Sequence, residues 1–173
     1  MHKYLVDSNI FLQAKNLHYR FEFCNHFWTW VERAHAGGIV CSTSKVKEEL
    51  LKGKDDDPVK KWALQLPSTF FMADDTDPKI LSKYKEIMQW TATNTHFTDP
   101  AKKEFARADI ADAFLIATAM AYGHEIITHE LSKPERRNKI QIPDAAANFG
   151  VKTHFVYDVL CDHSHTDFSF KLL

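Results

Sequence analysis

Cysteine is scarce: Cys24, Cys41 and Cys161 are odd in number, far apart and without a CxxC pair. That excludes a disulfide scaffold and a paired-cluster zinc module, and it suits a reducing cytoplasm. No apolar run approaches the length needed to span a bilayer. The first residues lack a basic stretch followed by an apolar one, so the expected location is cytoplasmic. Charge of one sign is lacking too. The formal net charge is −1 with His neutral, so any affinity for a polyanion must come from local patches. Internal repeats, low-complexity tracts and linkers are also missing. What remains is 173 residues, 45% hydrophobic and 26% charged, an ordinary globular composition able to bury one core.

The order of elements points to a layered α/β protein. Tyr4-Leu5-Val6 reads as a first strand and Ile10 to Ala14 as a helix start. Phe23, Phe27, Trp30, Val31 and Ala34 recur at helical spacing before the stop Gly37-Gly38. Ile39-Val40-Cys41 suits a buried parallel strand. Ser42 or Ser44 is placed to cap the helix carrying Val46, Glu49 and Leu50. Asp-Pro pairs at 57–58, 77–78 and 99–100 are helix-entry signals, and Phe70-Phe71-Met72 is a third strand. A long helical pattern from Phe105 to Tyr122, broken near Asp109, ends at Gly123. Ile126-Ile127-Thr128, a short helix from Pro143 to Phe149 and a last strand from Val151 to Val156 complete the series. The expected architecture is a three-layer α/β/α sandwich with a mostly parallel sheet. Residues 1–161 form the domain and 162–173 a peripheral tail.

Four acids stand out by position. Asp7 ends the first strand, and in open α/β sheets that edge collects ligands. Glu49 follows the second strand, Asp112 interrupts the apolar stretch 110–119, and Glu130 follows Ile126-Ile127-Thr128. Each alone is ordinary: a turn acid, a solvated helix face, an acid in a first helical turn, a loop acid. Converging, they would hold hard cations through oxygen and support phosphodiester hydrolysis.

In this order the segments resemble PIN-domain nucleases, and among them the proteins grouped as DUF4411 and the VapC-like toxins of type II toxin–antitoxin systems. The stretches that carry the resemblance are 4–16, Phe23-Cys24 with Phe27-Trp28, 42–50, 111–121, 127–130, 139–144 and 149–151. The resemblance implies a Mg²⁺- or Mn²⁺-dependent single-strand endoribonuclease with Asp7, Glu49, Asp112 and Glu130 as catalytic, metal-holding acids. It also implies RNA as substrate, a small antitoxin as partner and a homodimer. Asp144 is the alternative fourth acid, Asp109 is close enough in sequence to approach the metal, and Asn9 orients Asp7 or binds water. Asn9 also stands where a haloacid-dehalogenase-like phosphatase needs its second Asp, which disfavours that class. A PIN fold kept only for binding, or a DNA-directed flap-type nuclease, are the other readings.

Cations gather after Glu130, at Lys133, Arg136, Arg137 and Lys139, as a phosphate-tracking loop would have them and as a solvated loop would too. Lys15, Arg20 and Lys45 are further phosphate-binding candidates near the acids. Trp28 and Trp30 cannot share one helix face, so one is expected in the core, with base stacking a minor possibility for the other. Cys161-Asp162-His163-Ser164-His165 contains zinc-compatible ligands without the second cluster a structural site needs.

Overall fold

The computed structural model describes residues 3–172; residues 1, 2 and 173 of the expected domain and tail lie outside the described residues. Strand β1 (Tyr4–Val6) is apolar and buried throughout, and β2 (Val40–Thr43) is buried throughout although it ends in Ser42 and Thr43. Because successive side chains point to opposite faces, an unbroken buried run means both faces are covered. Strands β3 (Phe71–Met72), β4 (Glu125–Ile127) and β5 (Thr153–His154) complete a five-stranded sheet of order β3-β2-β1-β4-β5. Every pairing is parallel, with Leu5 opposite both Cys41 and Ile126. The chain builds outward from β1 through β2 to β3 and then crosses to β4. Its topological switch therefore lies between β1 and β4.

The α-helices, the last of them after β5, are α1 (Ser8–Gln13), α2 (Asn25–Ala36), α3 (Ser44–Leu51), α4 (Pro58–Gln65), α5 (Pro78–Thr93), α6 (Asp99–Phe105), α7 (Ala111–Tyr122), α8 (Ile142–Asn148) and α9 (Val156–His163). Asp57 and Asp77 cap α4 and α5, accepting from the N–H groups of Val59 at 2.9 Å and Lys79 at 2.8 Å. The cap of α3 is Thr43, which accepts from Val46 N–H at 3.4 Å, and not Ser42 or Ser44. Those two serines donate instead to Val6 O at 2.6 Å and Met72 O at 3.1 Å, fixing β2 to both neighbouring strands. The predicted break near Asp109 separates α6 from α7. Helix α7 is buried almost all round, as expected for a helix apolar on every side, and Asp112 is its only charge. Gly123 closes it at φ 70°, a conformation that costs glycine little.

Both tryptophans of α2 are buried, so neither serves as a base-stacking surface. Trp28 stacks on Phe21 with ring centroids 4.0 Å apart and meets Trp62 at 4.8 Å. Trp30, on the other side of the helix, donates its indole N–H to His163 O at 3.1 Å and packs edge-on against Phe170. Phe23 departs from the helical stripe: it precedes α2 and is 65% exposed. The boundary expected at residue 161 falls inside α9, and the tail returns over α2, where Lys171 N–H also bonds His163 O at 3.0 Å. His163 is buried, which removes it from any surface zinc cluster.

Removing residues 164–173 should expose Trp30, shift tryptophan emission to longer wavelength and lower the melting temperature. Unchanged emission and melting would mean that the tail is only peripheral.

Candidate active site

Asp7 sits where β1 and β4 part. Its N–H donates to Ile127 O at 3.0 Å and its carbonyl accepts from Ile10 N–H at 3.2 Å, so its backbone is held by β4 and by the first turn of α1. The side chain is 3% exposed. Oδ2 accepts the Thr128 hydroxyl at 2.8 Å. That hydroxyl itself accepts from Asn9 Nδ2 at 3.0 Å and from Glu130 N–H at 3.1 Å. With both lone pairs engaged, the single Thr128 hydrogen is directed at Asp7. Asn9 is locked in turn by His129 N–H, which bonds its Oδ1 at 3.1 Å. Asn9 therefore orients Asp7 through Thr128. The other Asp7 oxygen, Oδ1, lies 3.4 Å from Ser8 Oγ, but that hydroxyl is 2.6 Å from Glu49 Oε2 and has one hydrogen to give. The backbone N–H of Asn9 is a second donor that favours the charged Asp7 carboxyl.

Glu49 ties two helices to the site. Oε2 takes the Ser8 hydroxyl of α1, and Oε1 takes the Ala111 N–H at 3.0 Å, an unpaired amide of the first turn of α7. This contact sets Asp112 beside Glu49. Asp112 keeps an edge in solvent, yet its carboxyl is pushed well above the ordinary value. Burial is the main cause, then the charges of Asp7, Glu130 and Glu49, while Lys139 works the other way. Asp7 is pushed up to about 7, by burial first, against the Thr128 hydrogen bond and with the charges of Glu130 and Glu49 adding to the rise. The sheet edge thus gathers carboxylates from the end of β1, from α3 and α7, and from the segment after β4.

Glu130 belongs to that group by charge, but its oxygens are committed. Oε1 accepts from Lys139 Nζ at 2.6 Å, and Oε2 from Ile142 N–H at 2.7 Å, the first amide of α8. Asp144 points elsewhere: it accepts from Ser132 Oγ at 2.6 Å and Lys133 N–H at 3.0 Å, latching the loop that follows Glu130. Asp109 is held outside by a two-pronged pair with Arg107, at 3.0 and 2.7 Å.

The basic candidates divide in the same way. Lys15 is paired with Asp57, and Lys45 with Glu48 at 3.2 Å and Asp75 at 3.6 Å. Arg20 lies 3.5 Å from Glu22. Among the described residues no acid pairs with Arg136 or Arg137. Their Nε atoms donate to Asn138 Oδ1 and His96 O, both at 2.9 Å. Ser8 and Thr128 are the site residues that the four-acid pattern leaves out. Each is a hydroxyl at a strand end, and Ser8 adjoins Asp7 directly.

The donor set suits a hard divalent cation in kind, since it is anionic and all oxygen. In position it is less complete. Among the described residues no three His, Cys, Asp or Glu side chains stand where they could jointly hold a metal ion. Glu49 and Glu130 are turned to Ser8, Ala111, Lys139 and Ile142, so a cation held by Asp7 and Asp112 would gain a third acid only if one Glu releases a partner.

An all-parallel sheet flanked by helices, with an acid from β1 at the switch point, defines a PIN-like α/β fold. Within that class the chain belongs to the family described as "Domain of unknown function (DUF4411)", whose model matches residues 4–166. The fold is similar to that of a chain in the crystal structure of VapBC2 from Rickettsia felis bound to a DNA fragment from their promoter. The TM-score is 0.51 and identity 15%, over 90% of this chain and 98% of that one. It is similar also to a chain of DNA-bound VapBC from Salmonella typhimurium, with TM-score 0.51, 19% identity and the same coverage. No curated protein matches the sequence.

The raised carboxyl of Asp7 fixes the sign of a pH effect. Its folded value of about 7 exceeds its ordinary 3.8. The folded chain therefore holds more protons than the unfolded one across that window, and stability falls as pH rises through it. Asp7→Asn removes the buried charge. Its melting temperature minus that of the wild type should be more positive at about pH 8.5 than at about pH 5. An equal difference at both pH values would mean that the Asp7 carboxyl is not raised.

Proposed function

We propose that this protein is a divalent-metal-dependent endoribonuclease acting on single strands, and the toxin of a toxin–antitoxin pair. One observation carries the reading: Asp7 is buried at the switch point, Ser8 lies between it and Glu49, and the charges of Asp7, Glu130 and Glu49 all push the Asp112 carboxyl up. Burying repelling carboxylates costs stability and has no packing rationale, whereas a cation among them would relieve it. Likeness in fold to chains of VapBC structures supports the toxin assignment and a small antitoxin as partner. A homodimer and a cytoplasmic location belong to the same proposal. Among the described residues no helix is long and apolar enough to cross a membrane.

In this proposal Asp7 and Asp112 hold the cation, with Glu49 or Glu130 as a third ligand after exchanging a partner. The cation would act as Lewis acid and lower the pKa of a bound water. The chain's own groups do the rest. Thr128 and Asn9 fix the orientation of the Asp7 carboxyl. Glu49 joins the N-terminus of α7 to Ser8 and keeps Asp112 in place. Arg136 and Arg137, unpaired with acids and at the rim, bind flanking phosphates, while the pairing of Lys15 and Lys45 makes them weaker candidates. A PIN fold kept only for binding a partner is the second reading. The commitment of both Glu side chains to protein donors favours it, and the energetic cost of Asp7 beside Asp112 counts against it.

Purified protein should cleave single-stranded RNA with Mg²⁺ or Mn²⁺ and stop with EDTA. Asp7→Ala should abolish cleavage, and with it any growth arrest on expression. Growth arrest that survives in Asp7→Ala would favour the binding-only reading. Arg136→Ala combined with Arg137→Ala should weaken RNA binding and flatten the log–log salt dependence by about 1.4, two contacts at roughly 0.7 each on a single strand. An unchanged slope would leave the loop as solvated surface.

A further inference from the structure

Lys139 stands among the acids and not with the exposed arginines of its loop. Its ammonium is 2.6 Å from Glu130 Oε1. It shares with Asp112 and Glu104 the wall of a small cavity of about 20 Å³. A space of that size holds roughly one water. The rest of its wall is Ala101, Phe105, Ile110 and Ile140, and Mg²⁺ gives up its hydration shell reluctantly and keeps several waters, so this side of Asp112 takes no hydrated ion while Lys139 is there. Glu130 is equally constrained, because Ile142 N–H fixes its Oε2 and the oxygen it could offer an ion is the one Lys139 covers. Paired metal ions in two-metal sites lie about 3.5–4 Å apart. A lysine ammonium seated on Glu130 and lining the same cavity as Asp112 supplies positive charge to two of the acids.

We propose that Lys139 is the resident cation of the acidic site, holding the place of a second divalent ion, so that the chain takes one ion at Asp7 and Asp112. This rests on the metal-dependent reading above. Glu130 is then a positioning residue that anchors Lys139, and Lys139 contributes fixed positive charge to the site in place of tracking phosphate along the loop. The surroundings favour this over a mobile, phosphate-seeking lysine: the Lys139 side chain is only 37% exposed and its partner Glu130 14%.

The test is a Mn²⁺ titration of the full chain, following the spin-resonance signal of the free ion. The wild type should bind one ion. Lys139→Met should bind two, and Lys139→Met with Glu130→Gln should return to one. Lys139→Gln replaces Lys139→Met if the latter fails to fold. Two ions in the wild type, one ion with unchanged affinity after loss of Lys139, or a second ion that survives Glu130→Gln would each overturn the proposal. A wild type that takes no Mn²⁺ removes the metal-dependent reading, and melts without metal then decide the charge role alone. Lys139→Met should lower the melting temperature, and adding Asp112→Asn should recover most of the loss. No loss, or no recovery, would overturn the assignment.

Discussion

The buried Asp7 carboxylate is the constraint on which the rest of this site depends. A parallel sheet that reverses direction beside β1 opens a crevice at the ends of β1 and β4, and Asp7 is delivered into it by the strand itself. Once there, an anion removed from water needs donors. Thr128 supplies one from the neighbouring strand, with its own lone pairs filled by Asn9 and the Glu130 amide. The direction of the Thr128 hydrogen bond is thereby forced, and the Asn9 N–H adds a second donor to the Asp7 carboxyl. Satisfied networks of this kind hold one geometry because each member has only one way to pair.

The remaining charges follow from the same constraint. Three further carboxylates beside Asp7 would be untenable without compensation. The structure supplies it from backbone as much as from side chains. Glu49 takes an amide at the start of α7, Glu130 an amide at the start of α8, and Lys139 neutralises part of the remainder. Helix N-termini carry partial positive charge, so the sheet edge where they gather is tolerant of acids. Asp112 is the least compensated: its opposing influence is Lys139, while burial and three acids push its carboxyl up.

The aromatic side of the protein has a structural task. Phe11, Trp28, Trp62 and Phe70 meet with centroid separations of 4.8 to 6.4 Å, filling the space beneath α1 and α4. The C-terminal segment extends that core over α2 through Phe170 and His163. Helix α1, which carries Ser8 and Asn9, is held rigid by this packing. Precision at the site is thus supported by burial some distance away from it.

Much of the fold was legible in the sequence because local rules decided it. Short apolar runs gave β1 to β4, Asp-Pro pairs the starts of α4 and α5, and Gly123 the end of α7. The strand-ending position of Asp7 and its place at the sheet edge needed only strand polarity and an α/β order. Other features depended on which groups meet across the chain, and no local rule reaches that far. Thr43, and not Ser42 or Ser44, caps α3 because the serines are taken by β1 and β3. Trp30 is buried because a tail more than a hundred residues later covers it. Asp144 latches a loop while Glu130 faces the acids, and Asp109 is claimed by Arg107, although the spacing of these acids left their roles open. The sequence by itself determined the elements, their order and the delivery of acids to one edge, since periodicity and backbone preference are encoded within a few residues. Only the tertiary structure decided which donors each carboxylate keeps and where Lys139 sits, because hydrogen bonds and charge pairs are settled by distances between segments far apart in the chain.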